Sequence, residues 1–424
     1  MSQIESISAL EILDSRGNPT IEVTITLEDG TFASGIAPSG ASTGKKEAHE
    51  LRDKDKRRYH GKGVLNACSN VENEISEAIC GMDVNYLREI DQAMIDLDGT
   101  KNKSKLGANA ILATSIACAK AASESLKIPL YQFIGGCNSH VLPVPMMNII
   151  NGGAHADNSL AIQEFMIMPI SASTFAEALR MGSEIFHTLK SELKDANFST
   201  NVGDEGGFAP NFVRTTDALD FIMKAIEKSG YRPNEDVVLA LDCAASEFFA
   251  NGQYKIDGIP MSSSDLIGFY DKISQRYPIF SLEDPLAEDD HDGFIEITKR
   301  LGERLQIVGD DLFCTNKEIL IDGVKKQMAN ALLVKFNQIG TISETLDAMD
   351  FATRSKYNCV VSHRSGESED TTIAHLAVGK NAGQIKTGSL CRTDRIAKYN
   401  ELLRIEQNLG DSAVYAGSSI LKTS

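Results

Sequence analysis

The chain has 424 residues, 42% hydrophobic and 24% charged, a globular usage that excludes wholesale disorder and collagen-like order. Lys plus Arg number 42 and Asp plus Glu 59, so the formal charge is −17. That balance disfavours nucleic acid and anionic membrane as main partners, and any anion site must be a local cationic pocket. The length fits roughly two to four domains, or one large barrel with a companion. Eight cysteines without a C-x-x-C pair indicate reduced thiols of a cytoplasmic protein, not a zinc knuckle or a disulfide framework. The opening MSQIESISAL carries Glu5 where an export signal would carry Lys or Arg. The small-apolar run Ala108 to Ala119 contains Asn109 and is shorter than the ~20 residues a spanning helix needs.

The first third reads as strands followed by helices. Ile21 to Leu27 alternates and runs through Glu28-Asp29-Gly30, a hairpin signal, into a second strand from Phe32 to Ile36. Pro38 to Gly44 is a small-residue loop. A helix is predicted from Ser104, as N-cap, to Leu126. This order suggests an α+β domain over residues 1–138, closed by a linker at Ile134 to Ser139.

From residue 139 to 424 short apolar runs alternate with amphipathic segments. The runs end in Asp242, Glu283, Asp310, Lys335, Ser362-His363-Arg364 and Lys386. Strands separated by helices pair in parallel, and buried parallel strands read as unbroken Val/Ile/Leu runs. All these charged groups are therefore expected at one end of the sheet, where α/β active sites lie. Val144 to Ile150 and Ile162 to Met168 are joined by a glycine-rich loop too short for a crossover helix, so they should be antiparallel neighbours. That puts Gln163 and Glu164 at the same end. Two helices follow, Ser173 to Lys194 and Thr216 to Lys228, and the loop between them carries Glu205 to that end too. The expected fold is α/β: an eight-stranded ββαα(βα)6 barrel behind a smaller α+β domain.

Asp242, Glu283 and Asp310 form three carboxylates on successive strand ends. Like charges raise one another's pKa unless a cation neutralises them, and all-oxygen ligation suits Mg²⁺. Any one of them alone would more often be a solvated strand-end residue; three in succession favour a metal. Lys335, Arg364 and Lys386 make a pocket for a phosphate or carboxylate, although any one could simply salt-bridge the acidic ring. His155 and His363 lie in or beside small-residue turns, where a single histidine is more often structural. No dinucleotide or Walker pattern occurs.

These residues sit in motifs that resemble enolase, the phosphopyruvate hydratase family, of bacterial type. They include LDSRGNPT (Leu13 to Thr20), PSGASTG (Pro38 to Gly44), PVPMMNIINGGAHADN (Pro143 to Asn158), GDEGGFAPN (Gly203 to Asn211), LEDP (Leu282 to Pro285), KFNQIGT (Lys335 to Thr341), SHRSGE (Ser362 to Glu367) and IKTGS (Ile385 to Ser389). The resemblance spans essentially the whole chain. It implies reversible dehydration of 2-phosphoglycerate to phosphoenolpyruvate with two Mg²⁺ per site, the second binding with substrate. Asp242, Glu283 and Asp310 would hold the first ion. Ser42, in a mobile loop, would help hold the second. Lys335 would take the C2 proton, its pKa lowered by metal and Lys386, and Glu205 would protonate the leaving hydroxyl. Glu164 matches a second acid-side carboxylate. His155, Gln163, Ser362, Arg364, Ser365 and Lys386 would contact substrate, and His363 counts with the catalytic residues, the first alternative base should Lys335 not take the proton. Members are usually homodimers, and Glu22 and Arg404 match positions that pair across that interface.

Three positions depart from the pattern: His291 stands where tryptophan is common, His375 where aspartate is common, and Cys314 where an aliphatic residue is usual. None carries an expected chemical role. A different proton-abstracting enzyme of the superfamily would often carry a K-x-K pair on one strand, which is lacking. A silent enolase-like scaffold would be expected to have lost a ligand or Lys335, and none is lost.

Overall fold

The computed structural model describes residues 2–40 and 44–421. The N-terminal part holds an antiparallel sheet of β1 (Ile4–Leu13), β2 (Pro19–Leu27) and β3 (Phe32–Ile36). Ile21, Val23, Ile25 and Leu27 of β2 are fully buried, as the alternation predicts. They face α2 (Ala108–Leu126), which packs in turn on α1 (Leu87–Asp98). Strand β1 was not expected.

Ser104 is not the cap of α2. The helix starts four residues later, after Gly107, because Asp98 captures the preceding turn. Its Oδ2 accepts the N–H groups of Lys105 and Leu106 at 3.1 and 2.7 Å, and the Ser104 hydroxyl turns to Thr100 instead. The expected linker is also shorter, since Ile134 and Gly135 close the short helix α3 (Leu130–Gly135).

The barrel strands are β4 (Val144–Asn151), β5 (Glu164–Pro169), β6 (Val237–Asp242), β7 (Ile279–Glu283), β8 (Gln306–Gly309), β9 (Ala331–Val334), β10 (Asn358–Ser362) and β11 (Gly383–Lys386). They close in the order β7-β8-β9-β10-β11-β4-β5-β6. Only β5 runs against its neighbours, as the short loop before it requires. Helices α4 (Phe175–Asp195) and α5 (Thr215–Lys228) follow β5. Then come α6 (Ser263–Arg276), α7 (His291–Leu301), α8 (Lys317–Lys326), α9 (Ile342–Arg354), α10 (Thr372–Gly379) and α11 (Thr393–Leu409). An unforeseen antiparallel ribbon, Phe249 to Met261, lies between β6 and α6. Among the described residues no helix is long and apolar enough to cross a membrane.

Candidate active site

The strand register places the site. Asp242 pairs with Glu164 on one side and Glu283 on the other, and Ser362 pairs with Lys386. Asp310 and Lys335 follow the last residues of β8 and β9. One pocket at this end is lined by His155, Gln163, Glu164, Glu205, Asp242, Asp310, Lys335, Ser362, His363, Arg364, Ser365 and Lys386. Glu283 sits just beneath it, with both carboxylate oxygens accepting from Lys386 Nζ at 2.9 Å. Ser42 lies outside the described residues.

Two lysines hold the acidic ring. Lys386 Nζ also lies 2.8 Å from Asp242 and 3.3 Å from Glu164, all of them buried. Lys335 Nζ donates to Asp310 Oδ2 at 2.5 Å. Burial disfavours charge on Lys335, as do Arg364 and Lys386, but Asp310 and Glu283 among its neighbours hold the ammonium above its ordinary value. Burial raises the Glu283 carboxyl, and crowding by Asp242 and Asp310 raises it further, against the pull of Lys386. Asp242, Glu283 and Asp310 offer oxygen donors only, the kind a hard divalent cation takes, and among the described residues the three carboxylates whose oxygens all lie within 4.8 Å of one another are those of Asp284, Asp310 and Asp311.

A second acidic group adjoins this ring through Glu164. His155 Nδ1 stands 3.5 Å from Glu164 and 3.6 Å from Glu205. Burial and repulsion from Glu205 push Glu164 up. Burial opposes the charge of Glu205 too, but His155, His363 and Arg395 overcome it and hold that carboxyl down. The two neighbouring carboxyls are thus driven in opposite directions, a division that acid–base chemistry uses.

Arg364 is engaged by Glu47, with contacts of 2.9 and 3.2 Å, and by Asn337 Oδ1 at 3.0 Å. Sequence reasoning passed over Glu47. It also passed over Asp284, whose oxygens accept the N–H groups of Asp310 and Asp311 at 2.9 and 2.8 Å. Asp311 lines the pocket and is pushed to about 7 by burial and Asp310. Both aspartates stood beside residues already singled out, in LEDP and VGDDL, and that adjacency was the available signal.

None of the three departures lines the pocket. His291 is the first residue of α7. Cys314 is buried, its thiol donating to Asp311 O at 3.3 Å. His375 lies 3.2 Å from Glu401 and stacks on Tyr131.

Comparison with known families matches the description "Enolase, C-terminal TIM barrel domain" to residues 139–424 and "Enolase, N-terminal domain" to residues 4–134.

Proposed function

The chain belongs to the enolase family, and from that premise we propose that it dehydrates 2-phosphoglycerate reversibly to phosphoenolpyruvate. The observation that carries this reading is that Lys335 lines one pocket together with Glu164 and Glu205, two carboxyls driven in opposite directions. A proton beside a carboxylate is very weakly acidic, because its loss adds charge to the carboxylate oxygens. Mg²⁺ on Asp242, Glu283 and Asp310, with a second ion bound through Ser42 and substrate, would supply the electrostatic stabilisation of that charge.

Lys335 takes the C2 proton as a neutral amine, after its ammonium has left Asp310 and given its own proton to solvent. Glu205, once protonated, hands a proton to the departing hydroxyl, with His155 between it and Glu164. Lys386 and Arg364 hold the anionic ends of the substrate, with Gln163, Ser362 and Ser365 orienting it. We further propose that residues 1–138 and 139–424 act as separate domains. We propose too that two copies pair through Glu22 and Arg404 in a cytoplasmic homodimer. Arg404 is mostly exposed here and meets Glu401 at 2.8 Å. The direct test is phosphoenolpyruvate formation from 2-phosphoglycerate with added Mg²⁺. No product at saturating substrate and metal would reject the reading.

A further inference from the structure

Arg395 lies in α11, about 30 residues or more from most of the residues given a role above, and its side chain is fully buried. One guanidinium nitrogen, Nη1, is 2.6 Å from His363 Nδ1 and 2.5 Å from Arg364 O. The other, Nη2, reaches Ser365 O at 2.6 Å and Asp204 O at 3.3 Å. A guanidinium has donors only and stays charged at every working pH. The His363 Nδ1 facing it must therefore be the accepting, unprotonated nitrogen. The ring hydrogen then belongs to Nε2, which faces Glu205 Oε1 at 3.4 Å. Glu205's other oxygen accepts from Asn148 at 3.1 Å.

We propose that Arg395 is a positioning residue that locks His363 as a neutral Nε2–H donor toward Glu205 and the leaving hydroxyl. The inference deepens the dehydration reading and rests on it. Three charged groups face the ring from three elements: Glu205 from the loop after α4, Lys386 from β11 and Arg395 from α11. Glu205 alone would favour an imidazolium. Burial, Arg395 and Lys386 prevail and hold the ring down at about 3. A proton acceptor at this position would have to become a cation beside a buried guanidinium, so His363 is a donor and not an alternative base. Arg395 also bonds both walls of the pocket, the Arg364–Ser365 backbone and the Asp204 carbonyl beside Glu205. It thereby fixes the spacing between His363 and Glu205.

The test starts from the unaltered, Mg²⁺-loaded protein labelled with ¹⁵N-histidine, with the His363 signals assigned by their loss in His363→Asn. The account expects hydrogen on Nε2, none on Nδ1, and no titration between about pH 5.5 and 8.5. Hydrogen on Nδ1, or an imidazolium in that range, overturns it. Two variants extend the test. Arg395→Lys keeps the charge and should leave His363 silent. Arg395→Gln removes the charge, so His363 should titrate, and kcat should fall about tenfold near pH 6 and recover toward pH 8. A silent His363 in Arg395→Gln with a pH profile parallel to wild type also overturns the proposal. If Arg395→Gln does not fold, the wild-type spectrum decides. That spectrum needs no substrate. An Nε2–H ring without dehydration would sink the reaction assignment alone, and dehydration with an Nδ1–H ring would sink the role of Arg395 alone.

Discussion

Gly388, in the turn after β11, is where the backbone makes room for Arg395. Its φ is +82°, and a Cβ there would meet Arg395 Cδ at 2.7 Å, Arg395 Cγ at 2.9 Å and Glu205 O at 3.0 Å. In Gly388→Ala the left-handed conformation costs about 1–2 kcal/mol. The clash adds about 1–3 kcal/mol, because Arg395 is tied at its far end and cannot swing away. Gly81 is a matched control, with φ +85° and nothing within 4 Å of a built Cβ. Gly81→Ala should lose the backbone cost only. Urea unfolding followed by circular dichroism should therefore separate the two variants by about 1–3 kcal/mol. Dehydratase activity should fall at least about tenfold in Gly388→Ala and stay at the wild-type level in Gly81→Ala. Equal stability losses would refute the clash. A stability gap without an activity difference would refute the link from Gly388 to Glu205.

Other consequences follow from the same network. Glu47→Gln removes the charge opposite a buried Arg364 and should cost about 2–3 kcal/mol in urea unfolding, partly recovered by added inorganic phosphate. A loss below about 0.5 kcal/mol would contradict the pairing. Burial raises Asp91 to about 6, against hydrogen bonds from Ser343 and Ser115. A carboxyl raised on folding contributes stability below its unfolded pKa, and that contribution is lost as pH rises through the folded value. Asp91→Asn should therefore gain stability relative to wild type between about pH 4 and 6, by up to about 1.4 kcal/mol per pH unit. A difference that does not change with pH would contradict this. Chelation should abolish turnover and Mg²⁺ restore it, while Asp310→Ala should lose tight metal binding in calorimetry. Full activity at a confirmed metal content near zero would contradict the metal site.

The barrel was legible because its strands are buried on both faces, which makes them unbroken apolar runs whose ends are marked by charge. The reversal of β5 was legible because eight glycine-rich residues cannot cross a sheet. Strand β1 was missed because one face is open: Leu10 and Leu13 are more than half exposed and Glu5 and Glu11 interrupt the apolar pattern. The ribbon from Phe249 was missed although Asn251-Gly252 and Asp257-Gly258 are hairpin turns, because its strands are only two to four residues long. Within the site, residues at strand ends could be placed by counting. Glu47 and Arg395 could not. Each reaches its partner from another element, and α11 buries Arg395 and Lys398 where an amphipathic helix would bury apolar side chains. Nothing in local spacing distinguishes such a buried arginine from a solvated one.

The central claim divides labour between Lys335 as base and Glu205 as acid. The measurement is loss of deuterium from C2-labelled 2-phosphoglycerate, followed alongside phosphoenolpyruvate formation, in wild type, Lys335→Ala and Glu205→Gln. Wild type should show both. Lys335→Ala should show neither, an added barrier of a few kcal/mol for a missing base worth about 10²–10⁴ in rate. Glu205→Gln should form almost no product yet still exchange the C2 deuterium. Exchange that survives in Lys335→Ala and vanishes in Glu205→Gln would reverse the two roles and contradict the account.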